Sequence, residues 1–292
     1  MDLPVAVTNW RDAGEMRFVD GTYLFLRQAG QGRPLVCFHG FPTSSYDWHR
    51  LLPLLADEHH IICFDFPGYG LSAKPADREY TIARQADAAE ALIADLGIQS
   101  FDLLAHDMGA TVACELIDRV NRRASRLRPK SVTLLNAGLY MDLHRPLLTQ
   151  RLLRTPYINQ LVARLSSRWL FMHQYPKVYA RPDEFDRDHY EAQWTLLINQ
   201  QGRQVLHLLA GYMRERLEHS DRWLGALAQA GIPLRLIWGM ADPIAVPAIA
   251  ERLQQRLPVA DAMLLQGIGH YPQLEDAAQV YASLSRWLGD SD

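Results

Sequence analysis

The hydrophobic pattern changes its period twice along the chain, and these changes divide the sequence into three parts. In the first part, short apolar runs of strand length alternate with helical patterns, as in a mostly parallel sheet covered by helices. In the middle part, helical periodicity continues without strand-length runs, and alternation resumes towards the C-terminus. The pattern therefore predicts an α/β core formed by residues 1–138 and 224–292, with a helical lid inserted at residues 139–223.

The individual elements of the core follow from the same pattern. Residues 17–20 and 23–27 are expected to form an antiparallel hairpin, because Asp20-Gly21 between them favours a tight turn. The other predicted strands are 34–39, 61–66, 101–105, 131–135, 234–238 and 262–265. The predicted core helices are 46–56, 82–96, 248–256 and 277–288.

Composition narrows the class of protein. A chain of 292 residues with 48% hydrophobic content can bury a large core, and a net charge of −3 provides no basic surface for nucleic acid or for a membrane. We see neither a signal peptide nor an apolar run of the ~20 residues that a membrane span needs. Cys37, Cys63 and Cys114 lie far apart in apolar runs, so we expect buried free thiols and a cytoplasmic location.

The most informative motif places a carboxylate at the tip of a sharp turn. The apolar run 101–105 leads directly to Asp107, and a helical pattern follows. Ala105, Gly109 and Ala110 are small, as they must be beside a reactive side chain at a strand-to-helix elbow. A carboxylate is already ionised near neutral pH, so Asp107 needs no base to attack a saturated carbon and form an alkyl ester.

Three further motifs follow predicted strands and supply what such a nucleophile needs. In His39-Gly40-Phe41-Pro42 the glycine lets the backbone turn, and we expect the N–H groups of Phe41 and Met108 to form an oxyanion hole. Asp242 can orient an imidazole, and His270 lies in a glycine-rich loop. The chain order Asp107, Asp242, His270 is the hydrolase order of nucleophile, acid and histidine.

With these motifs the chain resembles the α/β-hydrolase superfamily over nearly its whole length, most closely the aspartate-nucleophile branch of epoxide hydrolases and haloalkane dehalogenases. Residues 64–72 also match that superfamily's turn after the fourth strand. Within the branch, residues 101–104, 144–148, 222–223 and 270–276 are similar to mesoderm-specific transcript proteins. The resemblance implies a mostly parallel eight-stranded sheet with flanking helices and an inserted lid, and a hydrolase without a cofactor.

The resemblance also implies a two-step reaction in which Asp107 attacks carbon and water activated by His270 hydrolyses the ester. An epoxide oxygen needs acidic hydroxyls as it leaves, whereas a halide needs N–H donors. Haloalkane dehalogenases usually carry Trp after the nucleophile and Asn after the glycine of the oxyanion motif, and haloacetate dehalogenases carry Arg after the nucleophile. This chain has Met108 and Phe41 there, so the comparison favours an epoxide hydrolase that converts a small hydrophobic epoxide and water to a vicinal diol.

Tyrosines of the predicted lid are the candidate proton donors. Tyr212 is the first choice because residues 211–216 resemble the place where epoxide hydrolases keep a ring-opening tyrosine, and Tyr175 is the second. His173 could replace Tyr175, and Trp194 is expected to form a pocket wall. The residues expected to contact substrate are His39, His106, His173 and Trp194.

Other readings stay open at this stage. Haloalkane or haloacid dehalogenation is the first alternative, and hydrolysis of an ester or lactone is another, although Asp107 would then form an anhydride. A catalytically silent ligand-binding homologue is also compatible with the motifs. No metal-ligand pattern is present, a homodimer remains open, and the lid arginines (Arg151, Arg154, Arg164 and Arg168) are expected to form a solvated face.

Overall fold

The computed structural model describes residues 3–289, which form one eight-stranded sheet. The strands are β1 (Glu15–Val19), β2 (Thr22–Ala29), β3 (Arg33–Phe38), β4 (His59–Phe64), β5 (Ser100–His106), β6 (Arg128–Leu135), β7 (Leu234–Gly239) and β8 (Val259–Leu265). Their order across the sheet is β1-β2-β4-β3-β5-β6-β7-β8. β1 and β2 pair antiparallel, β2 joins β4 antiparallel, and the remaining neighbours are parallel.

The helices divide between the core and the segment that joins β6 to β7. Those of the core are α1 (Val5–Asp12), α2 (Leu52–Leu55), α3 (Ile82–Asp95), α4 (Met108–Asn121), α11 (Pro247–Arg256), α12 (Pro272–Glu275) and α13 (Ala277–Gly289). Those between β6 and β7 are α5 (Leu148–Arg154), α6 (Asn159–Leu165), α7 (Arg168–Gln174), α8 (Arg187–Ile198), α9 (Leu206–Leu209) and α10 (Tyr212–Ala228). We call residues 148–228 the helical insertion.

Most predicted core elements are confirmed, and the differences have local causes. The predicted hairpin turns at Asp20 and Gly21, whose positive φ angles of 49° and 70° suit a tight turn. The helix predicted at 46–56 is instead a 3₁₀ turn (Ser45–Trp48) followed by α2. Pro53 explains this break, because proline has no N–H to continue an earlier helix and is accepted in a first turn. Helix α1 was not predicted.

The last helix of the insertion packs on the core. In α10 the Trp223 indole donates a hydrogen bond to Glu115 Oε2 of α4 (2.9 Å), and Arg222 pairs with the same carboxylate at 2.7 Å. The boundary predicted at residue 223 therefore falls inside α10, which continues to Ala228. Sequence periodicity does not show this boundary, because α10 is part of the helical insertion and also packs against α4 of the core.

Two composition-based expectations can be compared with the structure. Cys37, Cys63 and Cys114 are buried and unpaired, as predicted. Across residues 3–289, every helix is too short or too polar to cross a lipid bilayer.

Candidate active site

Asp107 lies where β5 ends and α4 begins, at the carboxyl edge of the sheet. Its φ of 44° and ψ of −111° put a non-glycine residue in a strained region, as a sharp nucleophile elbow requires. A side chain on Gly109 would bring its Cβ to 2.5 Å from the His39 carbonyl oxygen, and one on Gly40 would lie 2.9 Å from Asp107 Cβ. The small residues are therefore needed so that the turn can pack against the segment after β3.

Asp242 and His270 form a hydrogen-bonded pair beside this turn. His270 Nδ1 lies 2.7 Å from Asp242 Oδ2, and both side chains are buried. The other Asp242 oxygen accepts hydrogen bonds from the backbone N–H groups of Ile244 (2.7 Å) and Ala245 (3.1 Å). Burial lowers the pKa of His270, but the Asp242 carboxylate outweighs it, so that the pKa lies above its ordinary value.

Asn136 gives this pair its second support. Its Nδ2 donates to Asp242 Oδ2 at 2.6 Å, while its Oδ1 accepts from the Gly239 N–H at 2.9 Å. In the sequence, Asn136 stands directly after β6. Its side-chain amide thereby links the end of β6 to Gly239 at the end of β7 and holds the Asp242 carboxylate in position.

The predicted oxyanion hole has one donor in place on the Asp107 carboxylate. The Phe41 N–H donates to Asp107 Oδ2 at 3.1 Å. Met108 is the first residue of α4, so its N–H has no acceptor within the helix. The Phe41 N–H is thus placed at Oδ2, and the Met108 N–H at the start of α4 is left without a helical acceptor.

Arg216, on α10, is the residue that sequence reasoning missed. Its side chain is buried, and Nη2 donates to the Asp107 carbonyl oxygen (2.7 Å) and lies 3.3 Å from Asp107 Oδ1. Its Nε donates to Thr111 Oγ1 at 2.7 Å. Burial acts to raise the pKa of Asp107, but the Arg216 guanidinium and then the neighbouring histidines outweigh it and hold that pKa below its usual value.

A mainly apolar cavity lies between this edge of the sheet and the helical insertion. Its volume is about 90 Å³, counted as space open to the centres of water molecules. Phe41 and His270 line it from the core, and Tyr175, Trp194 and Tyr271 are on its wall. The apolar side chains that the insertion and the segment before it contribute include Leu147, Leu153, Leu170, Phe171, Leu197 and Leu206.

The two candidate tyrosines occupy different places. Tyr175 lines the cavity, accepts a hydrogen bond from the Tyr179 hydroxyl at 3.0 Å, and is hydrogen-bonded to Tyr271. Tyr212 does not line the cavity; its ring centroid lies 5.4 Å from that of Phe41, and its buried hydroxyl has no hydrogen-bond partner within residues 3–289. Burial raises the pKa of both phenols, so each stays protonated near neutral pH.

Three histidines expected at the substrate make other contacts in the structure. His39 has both ring nitrogens in hydrogen-bond contact with backbone, the Gly40 carbonyl (2.9 Å) and the Phe66 N–H (3.1 Å). His106 Nε2 holds the His270 carbonyl oxygen at 2.7 Å, and burial, followed by the neighbouring His270, lowers its pKa to about 3. His173 is exposed and stacks on Trp169 at 5.4 Å. None of the three lines the cavity.

Comparison with known proteins agrees with this geometry. The family model for the alpha/beta hydrolase fold matches residues 33–277. This chain belongs to the α/β-hydrolase family. Across residues 3–289, the sheet order and the sharp strand-to-helix turn at Asp107 are therefore features of one known architecture.

The relatives of this α/β-hydrolase carry several different names. The mesoderm-specific transcript homolog protein of Bos taurus is 37% identical, covering 94% of this chain and 85% of its own. LipZ of Mycobacterium tuberculosis is 34% identical, and the match covers 95% of this chain and 96% of LipZ. The cis-3-alkyl-4-alkyloxetan-2-one decarboxylase of Shewanella oneidensis is 28% identical, and the match covers 94% of this chain and 87% of the decarboxylase. Among solved structures, the haloalkane dehalogenase DbeA of Bradyrhizobium elkani has a TM-score of 0.79 at 26% identity, covering 94% of this chain and 97% of its own. The epoxide hydrolase CorEH has a TM-score of 0.77 at 20% identity (94% and 98%), which shows the fold alone.

Proposed function

We propose that this α/β-hydrolase opens epoxides to vicinal diols through a covalent alkyl ester on Asp107. The observation that carries the proposal is the Asp107 carboxylate itself. It is buried, charge-paired with Arg216 at 3.3 Å, and hydrogen-bonded to the Phe41 N–H. A low pKa keeps it ionised, and it contacts Phe41, which lines the apolar cavity, so the carboxylate is suited to displacement at carbon.

In the first step, Asp107 Oδ1 attacks the less hindered epoxide carbon while the bond from that carbon to the ring oxygen breaks. The released alkoxide takes a proton from a phenol. Tyr175 is a candidate donor because it lies on the cavity wall and keeps its proton, since burial, and then the neighbouring Tyr179 and Tyr271, raise its pKa. Tyr212, the first choice from sequence, is the other candidate, because its buried hydroxyl has no hydrogen-bond partner within residues 3–289 and burial, followed by the Asp107 charge, raises its pKa.

In the second step, His270 takes a proton from water as the water attacks Cγ of the Asp107 ester. The oxyanion forms on Oδ2, where the N–H groups of Phe41 and Met108 stabilise it. The product alkoxide then leaves with Oδ1 and takes the proton from His270, and the regenerated Asp107 carboxyl loses its remaining water-derived proton, which restores the phenol. Arg216, beside Oδ1 in the free enzyme, can stabilise the charge that develops on this oxygen.

Ester formation also prepares the base. The Asp107 carboxylate is one of the charges that raise the pKa of His270. Alkylation cancels that charge, so the pKa of His270 falls at the stage when the imidazole must be neutral to accept a proton. We propose that the first chemical step in this way favours the neutral form of His270 that the second step needs.

The two tyrosines can be ranked by matched variants. Because Tyr175 lines the cavity and Tyr212 does not, Tyr175→Phe is expected to slow epoxide-dependent ester formation by about 10²- to 10⁴-fold, and Tyr212→Phe by much less. Single-turnover ester formation on Asp107, followed by rapid quench and peptide mass spectrometry, measures both. A larger loss in Tyr212→Phe than in Tyr175→Phe would reverse this assignment.

A single turnover in heavy-oxygen water tests the covalent mechanism. The peptide that contains Asp107 is expected to gain one heavy oxygen, because water attacks Cγ, and the first diol released is expected to carry none from the solvent. Label found in the diol and absent from Asp107 would mean that water attacks the epoxide directly, and the proposal would be wrong.

Dehalogenation is the second candidate, and Trp194 is the observation that favours it. Its indole is on the cavity wall, and an indole N–H is a suitable donor to a departing halide. The likeness to DbeA at 26% identity points the same way. The same experiment with a haloalkane, and with an oxetan-2-one in view of the Shewanella relative, separates these substrate classes by which one alkylates or acylates Asp107.

A further inference from the structure

The first three helices of the insertion expose large apolar side chains to solvent. Leu161 and Leu165 of α6 are 58% and 67% exposed, and Ile158 precedes them at helical spacing, so the three share one face. Trp169 of α7 is 71% exposed. We call this the outer face of the insertion, with the exposed apolar members Leu148, Tyr157, Ile158, Leu161, Leu165 and Trp169.

The same segment carries positive charge without any carboxylate. Between Asp142 and Asp183 there are seven Lys or Arg residues and no Asp or Glu. Arg151, Arg154, Arg164 and Arg168 are exposed on α5 to α7, and Arg168 pairs with Glu191 of α8. Within residues 3–289, the other three make no ion pair with a carboxylate. The chain's net charge of −3 conceals this local excess.

The inner side of these helices faces the active-site cavity. Leu153 of α5 and both Leu170 and Phe171 of α7 line it, together with Gln150. One short layer of helix therefore separates the cavity from the outer face. A compound held at the outer face would be one helical layer away from the apolar cavity.

We propose that the outer face docks on an anionic lipid bilayer, with α5 to α7 lying in the interface. Exposed leucine and tryptophan side chains interspersed with unpaired arginines fit this partner, because the apolar groups enter the acyl boundary while the cations meet lipid phosphates. Helices of seven residues each are too short to span a bilayer, so they can only lie along its surface.

Charge argues against a second copy of this chain as the occupant. A two-fold dimer through the outer face would bring two sets of arginines together with no carboxylate from residues 143–182 to pair them. A bilayer rich in phosphatidylglycerol supplies the missing negative charge. Docking would then let an apolar substrate reach the cavity from the lipid phase.

Trp169 provides an internal reporter for the test. Of the seven tryptophans it is the exposed one, since the other six are at most 8% exposed. Mixing the full chain with vesicles of phosphatidylglycerol and phosphatidylcholine should shift the tryptophan emission to shorter wavelength, and brominated lipids should quench it. Trp169→Phe should remove most of both signals, and vesicles of phosphatidylcholine alone should give weaker binding.

Charge and apolar contributions can be separated by co-sedimentation with the same vesicles. Leu161→Glu combined with Leu165→Glu should abolish binding, whereas Arg154→Gln combined with Arg164→Gln should weaken it by about fivefold per arginine. Phe18→Glu, the same change at a 63% exposed side chain on β1, is the matched control and should bind normally. Vesicle binding that persists in both double variants, or none in the wild type, overturns the proposal. A dimer in light scattering that the leucine variants dissociate, without vesicle binding, also overturns it, and neither readout depends on catalysis.

Discussion

Replacing His270 by glutamine is expected to stop the enzyme after its first chemical step, with an alkyl ester left on Asp107. The imidazole is the group placed to deprotonate water, and Asp242 at 2.7 Å holds it in that role. Loss of a general base slows a reaction by about 10²- to 10⁴-fold, whereas alkylation by an ionised carboxylate needs no base. Mass spectrometry of the variant after exposure to an epoxide should therefore show stoichiometric adduct at Asp107.

Two comparisons make this experiment decisive. Asp107→Asn removes the nucleophile and should show no adduct, although its pocket is unchanged in size. In the wild type, the rate of ester hydrolysis should rise with pH as His270 loses its proton, and this rise should vanish in His270→Gln. Diol production at the wild-type rate by His270→Gln would exclude His270 as the base.

Replacing Arg216 by glutamine is expected to lower the rate of ester formation by about 10²-fold. In the pH–rate profile of ester formation, the fall in rate on the acid side (the acid limb) should also begin at a higher pH than in the wild type. Arg216 is the main influence that holds the pKa of Asp107 below its usual value against the effect of burial. Without the guanidinium, burial raises the pKa of Asp107, so the carboxylate becomes protonated, and unreactive, at a higher pH than in the wild type. Single-turnover ester formation between about pH 4 and pH 9 measures this shift.

Two further arginine variants separate this electrostatic role from a loss of folding. Arg216→Lys keeps the positive charge but loses the fork that contacts both Thr111 and Asp107, so its rate should fall while its acid limb stays near that of the wild type. Arg222→Gln removes an arginine from the same helix that pairs with Glu115 instead, and should leave the profile unchanged. Thermal unfolding of each variant checks that it is folded. An unshifted limb in Arg216→Gln would refute the assignment.

The catalytic centre could be predicted from sequence to the extent that it lies at strand ends. Asp107, Asp242 and His270 each follow an apolar strand, and the carboxyl ends of parallel strands meet at one edge of a sheet. A turn as sharp as that at Asp107 also leaves a trace in sequence, because Gly109 and Ala105 must be small. Local rules of this kind need no knowledge of distant packing.

The rest of the site depends on packing that local patterns do not specify. Arg216 lies in a polar stretch of α10 that is typical of a solvated helix, yet it meets Asp107, which is 109 residues earlier in the chain. Whether Tyr175, Tyr212 or His173 reaches the cavity depends on how short helices turn against one another. Tyr271 is different, because it directly follows His270 in the sequence, and this position predicts that it lies near the cavity that both residues line.

The contact between Arg216 and Asp107 has a consequence for protein engineering. Exchanging the variable segment between homologues is a common way to move substrate preference from one scaffold to another, and the connection between β6 and β7 is the natural place to cut. In this protein that segment carries Arg216, the counter-charge of Asp107 and therefore of the proposed nucleophile. A chimera that takes its α10 from a donor without an arginine at this position would keep every residue of the triad and still lose its reactivity, whereas a crossover placed before residue 212 would retain it.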